Sequence, residues 1–311
     1  MAAERLGPTG LLHIALQVPK LEEAHDFYTG FGLEAGETGD RLDLRCAGRD
    51  QDQLRLVEGP HKAFQHVAFT IAPGSGQEYQ AHLERSGVRL VDAPTEASGD
   101  GIWFQDPDGR YVNVQEDVVA PAREVEPPAL NLAGRYERFD QPRWQQIIGT
   151  EVKPRRLGHS LVFTPDLERL ERFYLEVVGM GLSDRLKGLV SFLNTGEGDH
   201  HVFGFIQSTH PGFHHASFEV DGFDQIGLGA QQMVSKGYTE GFGLGRHTLG
   251  SNLFYYARDP WGSWVEYFSD IDQITCNWVP NDWEVPPASW SGELHPEFLE
   301  NHEAGTGAQL R

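Results

Sequence analysis

Short runs of alternating apolar residues recur along this 311-residue chain, and each is followed by a stretch whose apolar positions fall at helical spacing. Residues 11–33 read LLHIALQVPKLEEAHDFYTGFGL and residues 157–182 read LGHSLVFTPDLERLERFYLEVVGMGL. Counted from His13 and His159, both copies place Pro six residues on (Pro19, Pro165) and Leu eight on (Leu21, Leu167). Phe-Tyr follows fourteen and fifteen on (Phe27-Tyr28, Phe173-Tyr174). The pattern predicts a strand, a turn at the proline and then a helix. A second pair, QHVAFTI from Gln65 and HHASFEV from His214, also precedes helix-like stretches. Each half closes on a strand–turn–strand, GIWFQDPDGRYVNVQ and NLFYYARDPWGSWVEYF.

Four related units emerge, each one helix plus several strands, and they predict an α+β fold of two domains with two units apiece. The first domain is expected over 1–118 and the second over 154–270. Between them, 119–153 holds several prolines and no clean period, and reads as a linker that packs against both halves. After Asp270 the pattern stops. Residues 271–311 carry Trp278, Trp283 and Trp290 among prolines, a composition suited to an irregular arm, either simply packed or lying over the pocket as a cover.

Composition narrows the function classes. With 39% hydrophobic and 11% aromatic residues the chain has material for packed cores. No apolar run approaches the roughly 18 residues of a membrane span, and MAAERLGPTG lacks the charged-then-apolar pattern of a signal peptide. A cytoplasmic address is expected. A net charge of −21 argues against a nucleic-acid or anionic-membrane partner. Two cysteines, Cys46 and Cys276, give neither a disulfide framework nor a thiolate cluster, so any metal must sit on nitrogen and oxygen.

Fourteen histidines make that search worthwhile. His159 opens one strand, His215 opens the matching strand of the next unit, and Glu266 lies on the strand after the DPWG turn. Two neutral imidazoles and a carboxylate around one divalent ion leave about half an octahedron open, a pattern that suits non-haem Fe(II). Any one of these residues alone would read as an ordinary interior histidine or surface glutamate. The internal repeat favours His215 over His214, since aligning HASFEV with HSLVFTP puts His215 opposite His159, and His214 should then point to the other face. His201, His247 and Tyr256 stand nearby as groups able to move a proton or hold an oxyanion. If Pro260-Trp261-Gly262 form a three-residue hairpin loop, Asp259 pairs with Ser263, and Tyr256 with Glu266 on a shared face; a two-residue loop would separate them. His200, His210, His295 and His302 read as exposed or internally satisfied.

The run GRHTLGSNLFYYARDPWGSWVEYF resembles the signature of type I extradiol ring-cleaving dioxygenases of the vicinal oxygen chelate superfamily, through Gly245, His247, Tyr256, Asp259, Pro260, Gly262 and Glu266. The resemblance covers nearly the whole chain. It implies four βαβββ units paired into two domains, each with a curved mixed sheet enclosing a pocket. It implies Fe(II), less often Mn(II), on His159, His215 and Glu266. His201 would assist oxygen activation and proton transfer, and His247 with Tyr256 would hydrogen-bond a bound catecholate. The partners would be a catecholic small molecule and dioxygen, in a homo-oligomer.

The first half departs from this pattern. His13 and His66 persist, but Asn113 stands for Glu266, Trp103 for Tyr256 and Asp52 for His201, so that half reads as a structural, non-catalytic duplicate. Some members of the family that bind carboxylated catechols use an arginine a few residues before this histidine; here Arg246 is the only nearby base, and if it points away, as its adjacency to His247 suggests, a catechol without a carboxylate is favoured. Two rival readings share the fold: a glyoxalase-like lyase or isomerase, and a metal-free binding protein of the bleomycin-resistance kind. The trio His201, His247 and Tyr256 speaks against the first, and the intact triad against the second.

Overall fold

The computed structural model of the chain describes residues 6–36, 39–95, 97 and 99–303. The start of MAAERLGPTG and the end of the C-terminal arm lie outside the described residues. The strand–proline–helix repeat forms the centre of each half. Gly10–Val18 runs past Pro19 into the helix Leu21–Gly30, and Arg156–Thr164 runs past Pro165 into the helix Leu167–Phe173. Proline lacks a ladder donor, so each strand stops there. Asp166 caps the second helix, its carboxylate accepting from the Arg169 amide at 3.1 Å. The following turn widens to a π-helix over Tyr174–Val178 and ends at Gly179, whose φ of 86° suits a residue without Cβ.

The two halves build equivalent mixed sheets, as the α+β reading requires. The first is seven-stranded, in the order Glu34–Ala35, Arg41–Arg45, Leu54–Glu58, Gly10–Val18, Ala63–Ile71, Tyr111–Glu116, Ile102–Gln105. The second is ten-stranded and keeps the same central order, Phe203–Gln207, Arg156–Thr164, Gly212–Glu219, Trp264–Ser269, Leu253–Arg258. In both, the repeat strand has a parallel neighbour on one side and an antiparallel one on the other.

The irregular-tail expectation is corrected in part. Asp282–Trp283 and Ala288–Ser291 pair with opposite edges of the second sheet, where unpaired N–H and C=O groups are available to take a strand. The segment after the first sheet contributes only a two-stranded hairpin, Asn131–Leu132 with Arg135–Tyr136, and the single helical turn Trp144–Ile147. It ties to the second half through Arg123–Asp221 (2.6 Å) and to the first through Lys153–Glu34 (3.0 Å).

One face of both sheets meets in a shared core that includes Ile14, Leu16 and Phe69 from the first half and Val162, Phe203 and Phe218 from the second. Phe31 stacks on Tyr267 with ring centroids 3.8 Å apart, and the Tyr267 hydroxyl donates to the Phe31 carbonyl at 2.6 Å. The opposite face of the second sheet carries a separate apolar group, Leu161, Phe163, Leu186, Val190 and Ile206. Among the described residues no helix is long and apolar enough to cross a membrane.

Each central strand pair contains two bulges at equivalent places. Leu12 and Gln65 are the extra residues in the first half, Gly158 and His214 in the second. A bulge adds one residue to one strand and re-aims the side chains beside it. At Gly158 a Cβ would lie 2.3 Å from the Phe268 ring, so this bulge demands glycine.

Tyr267→Phe keeps the ring stack but leaves the buried Phe31 carbonyl without its hydroxyl donor, which is expected to cost about 1–3 kcal/mol. Urea unfolding followed by tryptophan fluorescence checks this; an unchanged midpoint would show that the bond contributes nothing to holding the halves together.

Candidate metal centre

His159, His215 and Glu266 come from three adjacent strands of the second sheet and are all buried. Their ligand atoms lie within 4.8 Å of one another. Glu266 Oε2 sits 3.1 Å from His159 Nε2 and 3.6 Å from His215 Nε2. Two ligands bound at right angles to one ion at about 2.1 Å stand roughly 3 Å apart, so the spacing fits a shared cation.

The donor chemistry fits as well. His214 Nε2 faces the Phe298 carbonyl at 2.7 Å, an acceptor only, so this nitrogen carries a proton. In the neutral ring His214 Nδ1 is then a lone pair and accepts from His215 Nδ1 at 2.5 Å. That fixes His215 as the Nδ1–H tautomer and leaves Nε2 as a bare, buried lone pair with no hydrogen-bond partner among the described residues, aimed at the Glu266 carboxylate. Burial, reinforced by His214, holds the His215 imidazole well below its ordinary pKa. Burial would raise Glu266, but hydrogen bonds from His159 and His247 outweigh it and bring the carboxyl below its usual range. A neutral imidazole lone pair and an ionised carboxylate are the forms that bind a divalent ion.

This corrects the expected orientation of His214. Because it is the bulged residue, strict alternation breaks and His214 lines the same cavity as His215. It supports the neighbouring histidine rather than facing away.

His201, His247 and Tyr256 also come to this cavity. The His201 ring lies 4.3 Å from that of His159. His247 Nε2 and the Tyr256 hydroxyl are 3.0 Å apart, and the His247 Nδ1 edge is held by the Pro287 carbonyl at 3.1 Å. Tyr256 pairs directly with Glu266, and Asp259 N donates to Ser263 O at 2.8 Å, the pairing of a three-residue loop. Gly262 has φ 90°, and Asp259 Oδ1 accepts from the Trp261 and Ser263 amides. Burial, then the Glu266 charge, raises the Tyr256 phenol well above its ordinary value, so it is a proton donor. Burial drives His201 well below its ordinary value.

The remaining wall is apolar, with Leu161, Leu186, Val190, Phe192, Ile206 and Leu249 from the second half. The arm adds Pro287, Leu294, Phe298 and Leu299. Arg246 turns away, its guanidinium donating to Ser251 O and to Asp270. Of the four histidines read as exposed or satisfied, His210 is bonded to the Glu303 carbonyl and His302 sits beside Arg258 and Glu297. His295 packs its ring against Trp264. His200 is satisfied but fully buried, bonded to both Asp184 and His201.

In the first half, His13 Nε2 and His66 Nε2 bond each other at 2.9 Å, and the Arg55 guanidinium stands 3.4 Å from His13. Asn113 donates to the Asp100 carbonyl, and Asp52 pairs with Arg45 and Arg55. A guanidinium beside the histidines places positive charge where a cation would otherwise sit. Among the described residues a second candidate group, Glu297, Glu300 and His302, is mostly exposed, and Glu297 already pairs with Arg258.

Two supporting residues escaped the sequence reading. Asn252 donates to Glu266 Oε1 at 3.1 Å, and no local pattern marks it. The Asp184–His200 contact spans 16 residues, and the only trace of it in the sequence is the doubled histidine.

The family model described as Glyoxalase/Bleomycin resistance protein/Dioxygenase superfamily matches residues 10–114 and 156–267. Metapyrocatechase 2 of Cupriavidus necator is 36% identical over 94% of this chain and 92% of its own length. The manganese-dependent 2,3-dihydroxybiphenyl 1,2-dioxygenase of Geobacillus genomosp. 3 is 26% identical over 88% of this chain and 89% of its own. In fold, the Mn(II)-bound glyoxalase of Novosphingobium aromaticivorans superposes with a TM-score of 0.77 at 22% identity, covering 97% of both chains. The chain belongs to this superfamily, and within it to the extradiol ring-cleaving dioxygenases.

Glu266→Gln is expected to abolish stoichiometric metal uptake while leaving the fold intact. Metal analysis after dialysis and a melting curve with and without metal check this, since a ligand that binds only the folded state raises the melting temperature. Asn252→Leu, by loosening the Glu266 carboxylate, should weaken metal affinity by about 10–100-fold. Retention of full metal affinity in Glu266→Gln would remove this residue from the site.

Proposed function

We propose that the chain is an Fe(II)-dependent extradiol dioxygenase whose preferred substrate is a catechol bearing an apolar, uncharged substituent, with dioxygen as co-substrate. Both oxygen atoms enter the product as the ring opens beside the two hydroxyls. The observation that carries this reading is the buried His159–His215–Glu266 group opening onto an apolar cavity with His201, His247 and Tyr256 at its wall. Two nitrogens and one carboxylate with open positions suit Fe(II) better than a closed structural ion.

The metal supplies Lewis acidity and a route for electrons between catechol and dioxygen when both are bound. The protein's groups do the rest. The Tyr256 hydroxyl, kept protonated by burial, and His247 Nε2, 3.0 Å from it, stand together at the cavity wall as the pair that hydrogen-bonds a substrate oxygen. His201, kept neutral by burial, takes or returns a proton at the open side of the cavity. Leu186, Leu189, Val190, Phe192, Ile206 and Leu249 receive the ring substituent and exclude water.

No lysine or arginine lines this cavity among the described residues, and Arg246 is engaged elsewhere, so a carboxylated catechol would bury an unpaired charge. Cys46 is buried and Cys276 exposed, both unpaired, which suits a reducing compartment such as the cytoplasm. Homo-oligomerisation, carried by kinship, is read by mass in solution.

Anaerobically prepared protein loaded with Fe(II) is expected to take up oxygen with catechols and give a yellow ring-opened product. Alkyl and aryl catechols should exceed carboxylated ones in kcat/KM by about tenfold or more. No uptake across plain, alkyl, aryl and carboxylated catechols would overturn the proposal. His201→Asn should retain iron and lose about 10²-fold or more in kcat; unchanged turnover would remove His201 from the reaction.

A further inference from the structure

Behind His201 stands a second, fully buried histidine that the reaction as described does not use. His200 Nδ1 meets His201 Nδ1 at 3.0 Å, and His200 Nε2 meets Asp184 Oδ2 at 2.9 Å. Asp184 is 3% exposed and His200 not at all. The other carboxylate oxygen, Asp184 Oδ1, accepts from the Asn281 amide at 2.8 Å and from the Trp283 indole at 2.9 Å. Both of these partners can only donate.

From this network we infer that Asp184 and His200 are positioning residues that set the tautomer of His201, presenting its Nε2 to the cavity as a bare lone pair. With both imidazoles neutral, donor and acceptor identity orders the protons. An ionised Asp184 can only accept, so His200 Nε2 carries the proton. His200 Nδ1, bare in the neutral ring, can then only accept, so His201 Nδ1 carries the proton and His201 Nε2 has none. Gly250 closes tightly over the junction: a Cβ there would stand 3.1 Å from His201 Cε1 and 3.3 Å from either Nδ1. Burial raises the Asp184 carboxyl, but hydrogen bonds from His200, Trp283 and Asn281 overcome it and leave it below its ordinary value. The construction parallels the one behind His215, where the Phe298 carbonyl replaces the carboxylate and His214 replaces His200.

The inference rests on His201 acting as the proton-transfer group of the dioxygenase. A base must offer a lone pair, and the tautomer decides whether one is offered. Asp184→Asn separates this from a packing role. Asn281 and Trp283 keep the amide oxygen on their side, which turns the amide NH2 toward His200. His200 then accepts at Nε2 and donates at Nδ1, and His201 is left with a proton on the nitrogen facing the cavity.

Nitrogen NMR of histidine-labelled, metal-free full-length protein reads the tautomer directly, with the His201 signal assigned by its loss in His201→Asn. Wild type should show His201 protonated at Nδ1 and Asp184→Asn should show it protonated at Nε2. In the iron-loaded enzyme, Asp184→Asn should lower kcat by about tenfold or more while KM for the catechol and metal content stay within about twofold. A wild-type His201 carrying its proton on Nε2 would overturn the inference, as would an Asp184→Asn enzyme with wild-type kcat. An inactive wild type would count against the dioxygenase reading instead, while the NMR result still decides the tautomer.

Discussion

A carboxylate with no access to water lies at the middle of the second sheet, and the surrounding structure can be understood as the means of keeping Glu266 charged there. An isolated buried carboxylate is too costly to remain ionised. Here its two oxygens are met by His159, His215, His247 and Asn252, drawn from several strands. Hydrogen bonds from His159 and His247 bring the carboxyl below its usual range despite burial, and the His159 and His215 nitrogens and the Glu266 oxygen converge at a separation that suits a divalent ion. The site is therefore preorganised as a cation receptor, with its apolar wall on the open side.

Histidine can serve as a ligand or a base only if the correct nitrogen is bare, and this molecule controls that choice from behind. His214 and His200 are each the first of a consecutive pair, each passing the influence of a fixed acceptor to the histidine that faces the cavity. The C-terminal arm supplies much of the fixing. Phe298 offers a carbonyl to His214, Pro287 one to His247, and Asn281 and Trp283 orient Asp184. The arm also walls the cavity with Pro287, Leu294, Phe298 and Leu299. Its tryptophans and prolines thus have a definite structural use that their composition alone does not reveal.

Duplication shows how little separates such a site from a plain interior. Both halves keep the strand pair, both bulges and the acidic-Pro-x-Gly turn, in which Asp106 Oδ1 accepts from the Asp108 and Arg110 amides as Asp259 does from Trp261 and Ser263. With Asn113 in place of a glutamate and Arg55 brought beside His13, the first-half histidines bond each other. That half still contributes to the shared core, through Phe31 on Tyr267 and Tyr79 donating to the Val178 carbonyl.

What the sequence determined by itself was local or repeated. Apolar periodicity and the prolines located the strand–helix units, the internal repeat brought His159 and His215 into equivalent positions, and Asp259-Pro260-Trp261-Gly262 marked a turn that, as the three-residue loop found in the structure, sets Tyr256 opposite Glu266. Residue types restrict these features over a few neighbours, so they can be read in order along the chain. Tertiary structure alone decided that His214 is a bulged residue facing the cavity, that Asn252 reaches Glu266, that Asp184 stands behind His200, and that the arm adds strands to both edges of the second sheet. Strand alternation predicts a side chain's face only until a bulge shifts it, and a hydrogen bond across 84 or 99 residues leaves no mark on local pattern. The chemistry of the candidate site was written in its residue types, whereas the protonation and orientation of those residues were set by partners that only folding brings near.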